Sequence, residues 1–345
     1  MPLDFSNTLV VGIASTALFD LADADRVFRE EGMTAYRKYM LAKEEQVLDA
    51  GTAFPLAEAL LSLNRHTPEG EMPLAEVVVM SRNSPETGVA VMSSVRAHSL
   101  PITRFAFTGG EPLAPFASAF GLDLFLSRSE ADVQAVVDDR SCAAAQLYPP
   151  PGGKPPPSDQ LRIAFDADAV LFSDESELLY KREGLPAFHA NEDSSSHIPM
   201  PEGPFAAFLK KLAQLQRRLP EQVEYTDVRL SIVTARNAPA ETRVITTLRA
   251  WDVYVDAAFF LGGLSKDRVL AALRPHIFFD DQEVHALPAS TLVPAGKVPY
   301  ASSSELHPGP APSAASTERG DAVEVNRSPA DTLDELDDPA LRQTP

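Results

Sequence analysis

The chain has 345 residues, of which 44% are hydrophobic and 23% are charged, a balance typical of folded globular proteins. Its formal charge of −19 argues against binding to a nucleic acid polymer, because such binding relies on lysine and arginine side chains that displace phosphate counterions. The single cysteine, Cys142, excludes an intrachain disulfide and a thiolate metal cage. Without a membrane-length apolar run or a signal-peptide pattern, we expect a cytoplasmic location and no membrane contact.

Changes in composition divide the chain into segments. Residues 148–158, YPPPGGKPPPS, contain too much proline and glycine for a helix or a central strand, and they predict an exposed linker. The linker separates two predicted lobes, residues 1–147 and 159–300. After residue 300, serine, proline, alanine and acidic residues replace the apolar periodicity, so we expect residues 301–345 to be disordered.

The two lobes share a sequence pattern that recurs at an offset of about 153 residues. MSRNSPETG, beginning at Met80, resembles TARNAPAET, beginning at Thr234. FAFTGG, ending at Gly110, resembles AFFLGG, ending at Gly263. In each lobe a β-rich apolar run leads to a polar turn and a helix-like stretch, which predicts parallel α/β architecture. The repeat predicts two α/β halves related by duplication.

In the second lobe, polar groups follow the predicted strands one after another. They are Asp166 and Asp168 after Leu161–Phe165, Thr234 after LSIV, Lys266 after the Gly262-Gly263 turn, and Asp280-Asp281 after HIFF. Because ligands of open α/β sheets bind at the carboxyl ends of the strands, this arrangement predicts a site there. Alone, the acidic pair is equally consistent with a solvated loop, and a lone Thr234 or Lys266 is more often an ordinary surface group. The ordered set is what indicates chemistry.

This ordered set resembles the four motifs of the haloacid dehalogenase superfamily. The strings DADAVLFSDESE, TARNAP, GLSK and FFDDQ resemble the cytosolic 5′-nucleotidase type I family, as do MSRNSPETG, AFTGG and LDLFLS in the first half. The resemblance covers nearly all of residues 8–300. It implies two Rossmann-like halves and Mg²⁺-dependent hydrolysis of nucleoside 5′-monophosphates, with AMP or IMP as the first substrates to test.

The resemblance also implies roles for individual residues. Asp166 is expected to attack phosphorus and form an aspartyl-phosphate, while Asp168 protonates the leaving oxygen and later activates water. Thr234 is expected to donate a hydrogen bond to a phosphoryl oxygen, and Lys266 to neutralise developing charge.

Hard carboxylate oxygens beside a substrate phosphate suit Mg²⁺, and no cluster of cysteine and histidine suggests zinc. Asp166 and Asp280 are the preferred side-chain ligands, joined by the Asp168 backbone carbonyl. Asp281 either binds through water or orients the other ligands. The choice between Asp280 and Asp281 stays open at this stage.

An insertion at about residues 177–225 occupies the position of a cap in the superfamily, and caps exclude water and select the leaving group. The candidate substrate-binding residues are Phe188 and His189 in this insertion, and Arg236 and Asn237 after Thr234. For Phe205, packing in a helix core is the favoured interpretation.

The first half is expected to have lost the chemistry. At the common offset, Ile13 and Ser15 stand where the second half has Asp166 and Asp168, and Leu113 and Ser127 stand where it has Lys266 and Asp280. Arg82 and Asn83 could contact a ligand, but the favoured interpretation is that they cap a helix and hold a turn.

Two alternatives to a nucleotidase remain open. One is a sugar-phosphate phosphatase or phosphomutase of the same superfamily, and the other is a nucleotide-binding regulator without turnover. A homo-oligomer is compatible with the sequence.

Overall fold

The computed structural model describes residues 4–157, 159–220 and 226–309, whose strands form one ten-stranded, mostly parallel sheet. The predicted α/β class is confirmed. The strands are β1 Leu9–Ala14, β2 Ala75–Ser81, β3 Arg104–Phe107, β4 Leu124–Ser127, β5 Ala143–Leu147, β6 Leu161–Phe165, β7 Val228–Thr234, β8 Ala257–Phe260, β9 Ile277–Asp280 and β10 Ala295–Lys297.

Helices connect most of these strands. They are α1 Ser15–Leu18, α2 Ala22–Ala42, α3 Phe54–Ser62, α4 Val89–Ala97, α5 Ala114–Ala119, α6 Glu130–Asp139, α7 Glu175–Glu183, α8 Leu185–Ser194, α9 Ala206–Arg218, α10 Glu241–Ala250, α11 Asp267–Leu273 and α12 Glu283–Ser290. A 3₁₀ turn covers Leu63–His66, and a single wide helical turn, Ala167–Leu171, follows β6 directly. In the described part of the chain, no helix has the length and apolar composition needed to cross a membrane.

The sheet order is β3-β2-β1-β4-β5-β10-β9-β6-β7-β8, so the two halves have the same strand order when each is read outward from the middle. Three strands of the first half begin 153 residues before their counterparts, at positions 75 and 228, 104 and 257, and 124 and 277. The halves meet at β5 and β10, which pair in antiparallel fashion through Leu147 with Gly296 and Gln146 with Lys297.

One large apolar cluster includes side chains from both halves of the sheet. Helix α9 contributes to it, because its apolar residues recur at helical spacing and form one buried stripe that includes Phe208, Leu209 and Leu212. Phe205, directly before α9, lies 4.7 Å from Phe279 of β9, measured between ring centroids. The favoured interpretation of Phe205 as a packing residue is confirmed, and α9 lies on the sheet.

The insertion after β6 is more helical than its polar composition suggests. Residues 181–199 are polar in sequence, yet they lie mainly in α7 and α8, two short helices that pack on each other. A tyrosine and a phenylalanine, Tyr180 and Phe188, form an edge-to-face contact between them. Helix α8 also contacts the loop that follows β7.

The predicted linker and tail contact the rest of the fold where the structure describes them. Tyr148 donates its backbone N–H to the Ala295 carbonyl over 3.2 Å, and Arg274 donates to the Pro155 carbonyl over 3.0 Å. Beyond residue 300, the Ser302 N–H donates to Asp138 over 2.7 Å. Residues 310–345, most of the predicted disordered tail, lie outside the described residues, and the proposed domain boundaries stay a prediction.

Candidate active site

The residues singled out in the second half meet at the carboxyl ends of β6, β7 and β9. The parallel register places Phe165 beside Phe279 on one side and beside Ile232 on the other. Asp166 therefore leaves β6 next to the end of β9, where its N–H donates to the Phe279 carbonyl over 2.8 Å. Thr234 ends β7, and Asp280 ends β9. The parallel sheet thus brings together groups that lie far apart in the sequence.

Three carboxylates form the centre of the site. One oxygen from each of Asp166, Asp280 and Asp281 lies within 4.8 Å of the others, and all three residues are buried. Lys266, whose side chain is 1% exposed, lies between two of them: its Nζ is 2.9 Å from Asp166 Oδ2 and 2.7 Å from Asp280 Oδ2. The cluster therefore contains one cation for three acidic groups.

The pKa values reflect this crowding. Burial raises the pKa of Asp166 to about 6, with Lys266 opposing the rise and Asp280 adding to it. Burial, followed by the charges of Asp166 and Asp280, raises the pKa of Asp281 well above its usual value. Burial alone would lower the Lys266 pKa, but the two aspartates in contact with it outweigh this effect and raise it. Lys266 is therefore charged, whereas burial and the neighbouring carboxylates favour proton uptake by Asp166 and Asp281 when no further cation compensates them.

Two oxygens in this cluster fit a cation. Among the described residues, neither Asp166 Oδ1 nor Asp281 Oδ1 has a hydrogen-bond partner, although both atoms are buried. Asp280 differs, because Lys266 contacts its Oδ2 and the Gln282 N–H donates to its Oδ1 over 2.9 Å. Unpartnered buried carboxylate oxygens are costly unless a proton or a metal satisfies them. This buried acidic triad could bind a metal, and the free oxygens favour Asp281 over Asp280 as the partner of Asp166.

Asp168 lies outside the triad. Arg236 forms a bidentate ion pair with its carboxylate, with Nε 2.8 Å from Oδ2 and Nη2 2.5 Å from Oδ1. The Arg236 side chain is 2% exposed and also pairs with Glu192 of α8, with Nη1 2.5 Å from Oε2. The sequence made Arg236 a candidate for substrate binding, but in the structure its guanidinium forms ion pairs with two carboxylates. The Asp168 side chain is 17% exposed and can still be reached from outside.

The other candidate substrate residues lie beside this ion pair. His189 Nε2 lies 3.1 Å from Asn237 Oδ1, so α8 touches the loop that follows β7. The Arg236 guanidinium lies over the Phe188 ring, 5.3 Å from its centroid. Phe188, His189 and Asn237 therefore lie near the Arg236–Asp168 pair, and their contact with a substrate remains a prediction.

Two glycines hold the Lys266 loop against the Thr234 loop. The N–H groups of Gly262 and Gly263 donate to the carbonyls of Arg236 and Ala235, each over 3.2 Å. Both glycines have positive φ, 57° and 83°, a conformation that side chains with a Cβ rarely adopt. The Gly-Gly turn thus fixes the approach of Lys266 to the carboxylates.

Three contributors to the site were missed from the sequence. They are Glu192 on α8, Arg243 on α10 and Tyr300 after β10, whose hydroxyl donates to Asp281 Oδ2. Glu192 lies within the polar string NEDSSS, and Tyr300 lies where the predicted domain ends. Neither position carries a local signal, because each contact depends on how distant elements pack together.

The corresponding edge of the first half carries hydroxyls. Ser15 and Ser81, the counterparts of Asp168 and Thr234, lie 3.0 Å apart between their Oγ atoms. Arg82 pairs with Asp132 over 2.7 Å, and Asn83 accepts a hydrogen bond from Tyr36 over 3.0 Å. These contacts all lie within the first half. Neither of them is the helix cap expected for Arg82 and Asn83, and a ligand contact of these two residues stays a prediction.

Comparison with known proteins identifies the family. A family profile described as 5′-nucleotidase matches residues 1–305. The chain is 35% identical over 285 residues to human cytosolic 5′-nucleotidase 1B, a match that covers 81% of this chain and 47% of the human protein. The chain therefore spans about half the length of that curated relative. With the profile covering most of the sequence, the chain belongs to the 5′-nucleotidase family.

Proposed function

We propose that the chain hydrolyses nucleoside 5′-monophosphates, with AMP or IMP as first candidates, to nucleosides and phosphate. The observation that carries this proposal is the buried cluster of Asp166, Lys266, Asp280 and Asp281 at the strand ends, with Asp168 beside it, in a chain of the 5′-nucleotidase family. The name of the human relative places that protein in the cytosol, and we propose the same location here.

The reaction divides between two carboxylates. Asp166 attacks phosphorus, the bond from phosphorus to the 5′ oxygen breaks, and an aspartyl-phosphate forms. Asp168 gives a proton to the departing oxygen, so that the nucleoside leaves as a neutral alcohol. Asp168 then takes a proton from a water molecule that attacks phosphorus, which frees phosphate and restores the Asp166 carboxylate. The exposed edge of Asp168 is the side from which a leaving group can reach it.

Lys266 and Thr234 stabilise charge in this scheme. Lys266 already contacts Asp166 and, being charged and almost fully buried, can neutralise negative charge that moves onto the phosphoryl oxygens. Thr234 is buried at the end of β7, where its Oγ1 accepts the Arg236 N–H over 3.2 Å. The same hydroxyl can donate its own hydrogen to a phosphoryl oxygen.

Mg²⁺ is the metal that we propose for the acidic triad. All candidate donors are hard carboxylate oxygens, and Asp166 Oδ1 and Asp281 Oδ1 lack other partners among the described residues. When bound, Mg²⁺ would offset the charge of the triad and of the substrate phosphate. Asp280 would hold Lys266 in place, and the Asp168 backbone carbonyl remains a proposed further ligand.

We also propose that both halves are haloacid-dehalogenase-like units that arose by duplication, with α7 and α8 serving as a small cap on the second. The matching strand orders and the recurring spacing of 153 residues between positions such as 75 and 228 support this origin. Only the second half has the carboxylates needed for the reaction. In the first half, an isoleucine and two serines occupy the positions that match Asp166, Asp168 and Asp280.

Phosphate release from a panel of nucleoside monophosphates and sugar phosphates tests the proposal. Wild-type protein should release phosphate from nucleotides with Mg²⁺ and not with EDTA. Asp166→Asn, nearly the same size, should reduce turnover at least 1,000-fold, on the order expected for loss of a nucleophile. Asp193→Asn, an exposed change on α8, serves as the matched control and should keep full activity.

Other outcomes would favour the alternatives. Release from sugar phosphates alone would indicate a sugar-phosphate phosphatase or phosphomutase that shares the mechanism. Nucleotide binding without any release, despite added Mg²⁺, would indicate a regulator.

A further inference from the structure

A chain of buried ion pairs links Asp168 to helix α8. Arg236 contacts both oxygens of Asp168 and one oxygen of Glu192. The second Glu192 oxygen accepts from Arg243 over 2.9 Å and from the Ser176 hydroxyl over 3.0 Å. The network therefore joins the turn after β6, the loop after β7, the helix pair α7 and α8, and α10.

Glu192 is the centre of this network. Its side chain is 0% exposed, and two arginines and a hydroxyl satisfy its carboxylate. On α8, only Phe188 and Glu192 are buried. The ion pairs of Glu192 are thus a main attachment between α8 and the catalytic half, in a position where uncompensated burial of a charge would be strongly unfavourable.

The geometry transmits the position of α8 to Asp168. A guanidinium is a rigid planar fork, so a shift of one of its nitrogens turns the whole group. Glu192 holds Nη1 of Arg236, while Nε and Nη2 hold the two oxygens of Asp168. The orientation of the Asp168 carboxylate therefore depends on the position of Glu192.

We propose that Glu192 is a positioning residue: from α8, acting through Arg236, it sets the orientation of Asp168 and so controls proton delivery to the leaving nucleoside. This inference rests on the proposed function, because it concerns the group that we assign as general acid. Helix α8 then does more than cover the site, because proton transfer by Asp168 depends on the position of this helix.

Leaving-group dependence tests this role. In a nucleoside 5′-phosphorothiolate, sulfur replaces the bridging 5′ oxygen, and a thiolate leaves without protonation far more readily than an alkoxide. Glu192→Gln should slow nucleoside monophosphate hydrolysis by about 10–100-fold, since a positioned acid contributes about 100–10,000-fold. Single-turnover thiol release from the phosphorothiolate should fall by less than about threefold. Glu202→Gln, in the same insertion but in a surface pair with Lys210, is the matched control and should change neither rate.

A double-mutant cycle gives an independent readout on the nucleotide itself. If Glu192 acts through Asp168, adding Glu192→Gln to Asp168→Asn should slow the reaction no further, because residues that act as one unit are not additive. Melting curves confirm that each variant is folded. Should Glu192→Gln unfold, Ser176→Ala, which removes one hydrogen bond to Glu192, replaces it in the same cycle with a loss of about threefold or more.

The outcomes are distinct. An equal loss on both substrates, full additivity with Asp168→Asn, or an unchanged nucleotide rate would each overturn the positioning role. Failure of wild-type protein to release phosphate from any nucleotide would instead overturn the proposed function, and with it this inference.

Discussion

At the scale of single residues, the buried acidic groups that are proposed to act in catalysis also lower the stability of the fold. Asp166 and Asp281 each keep a buried oxygen without a hydrogen-bond partner among the described residues. Lys266 compensates only part of the charge, since it contacts Asp166 and Asp280 but is not paired with Asp281. Such a cluster lowers stability in the absence of a cation and is stabilised when one binds.

Replacing one acid of the triad should therefore have opposite effects with and without metal. Asp281→Asn removes an acidic group that faces two other carboxylates, and the amide can still accept from Tyr300. In EDTA, we expect its melting temperature to exceed that of wild-type protein by a few degrees, the size of shift that about 1 kcal/mol produces. In saturating Mg²⁺, wild-type protein should gain more stability than the variant. Melting curves over a Mg²⁺ titration provide the measurement.

Asp193→Asn should leave both melting curves unchanged, because Asp193 is exposed on α8. A lower melting temperature for Asp281→Asn in EDTA, or an undiminished response to Mg²⁺, would contradict the interpretation of the triad as a metal site.

The sequence predicts those parts of the site that follow from strand order, but not the contacts made by elements that pack onto the sheet from elsewhere in the chain. Asp166 directly follows a strand, and Thr234 and Asp280 are the last residues of theirs, so their convergence follows from parallel pairing alone. The partners of Asp168 and Asp281 do not follow from it. Glu192 and Tyr300 reach the site because α8 and the segment after β10 pack where they do, and no local pattern encodes that packing.

At the scale of secondary-structure elements, the region after β6 contains two different kinds of helix. Helix α8 reaches the Asp168–Arg236 pair through Glu192 and α7 packs on α8, whereas α9 buries an apolar stripe against the sheet. The sequence predicts one insertion over about residues 177–225. The apolar spacing of α9 was visible in the sequence, but spacing alone does not show which surface a helix packs against.

A substitution in α9 should thus affect stability and leave substrate handling intact. Leu212 is fully buried in the large apolar cluster, so Leu212→Ala should lower the free energy of unfolding by about 2–5 kcal/mol. The Michaelis constant for nucleotide should stay within about twofold, because α9 lies on the sheet. Urea unfolding and steady-state kinetics give the two values.

Gln214→Ala, on the exposed face of the same helix, is the matched control and should change stability by less than about 0.5 kcal/mol. A large rise in the Michaelis constant for Leu212→Ala with little loss of stability would show that α9 belongs to the cap.

At the scale of the whole molecule, the two halves are joined in several places. The sheet continues through β5 and β10, and the Pro/Gly-rich linker that suggested separate lobes does not interrupt it. Asp227, just before β7, accepts from Arg65 of the first half over 2.7 Å and lies 2.9 Å from His66. Helix α9 also contacts β1. The duplicated pattern in the sequence predicted the halves, but it did not predict their shared core or the antiparallel seam between them.

These connections predict that the two halves unfold together. Trp251, the single tryptophan, packs against Phe172 with ring centroids 5.4 Å apart and reports on the second half. Far-UV circular dichroism reports on both halves. In urea, we expect the two signals to share one midpoint, because separating the halves would expose their common apolar cluster. Saturating Mg²⁺ at about 100 times its dissociation constant should stabilise the whole molecule by about 3 kcal/mol and move both signals equally. A two-step dichroism curve, with Trp251 fluorescence and the Mg²⁺ response confined to one step, would instead show that the halves are independent domains that share an edge.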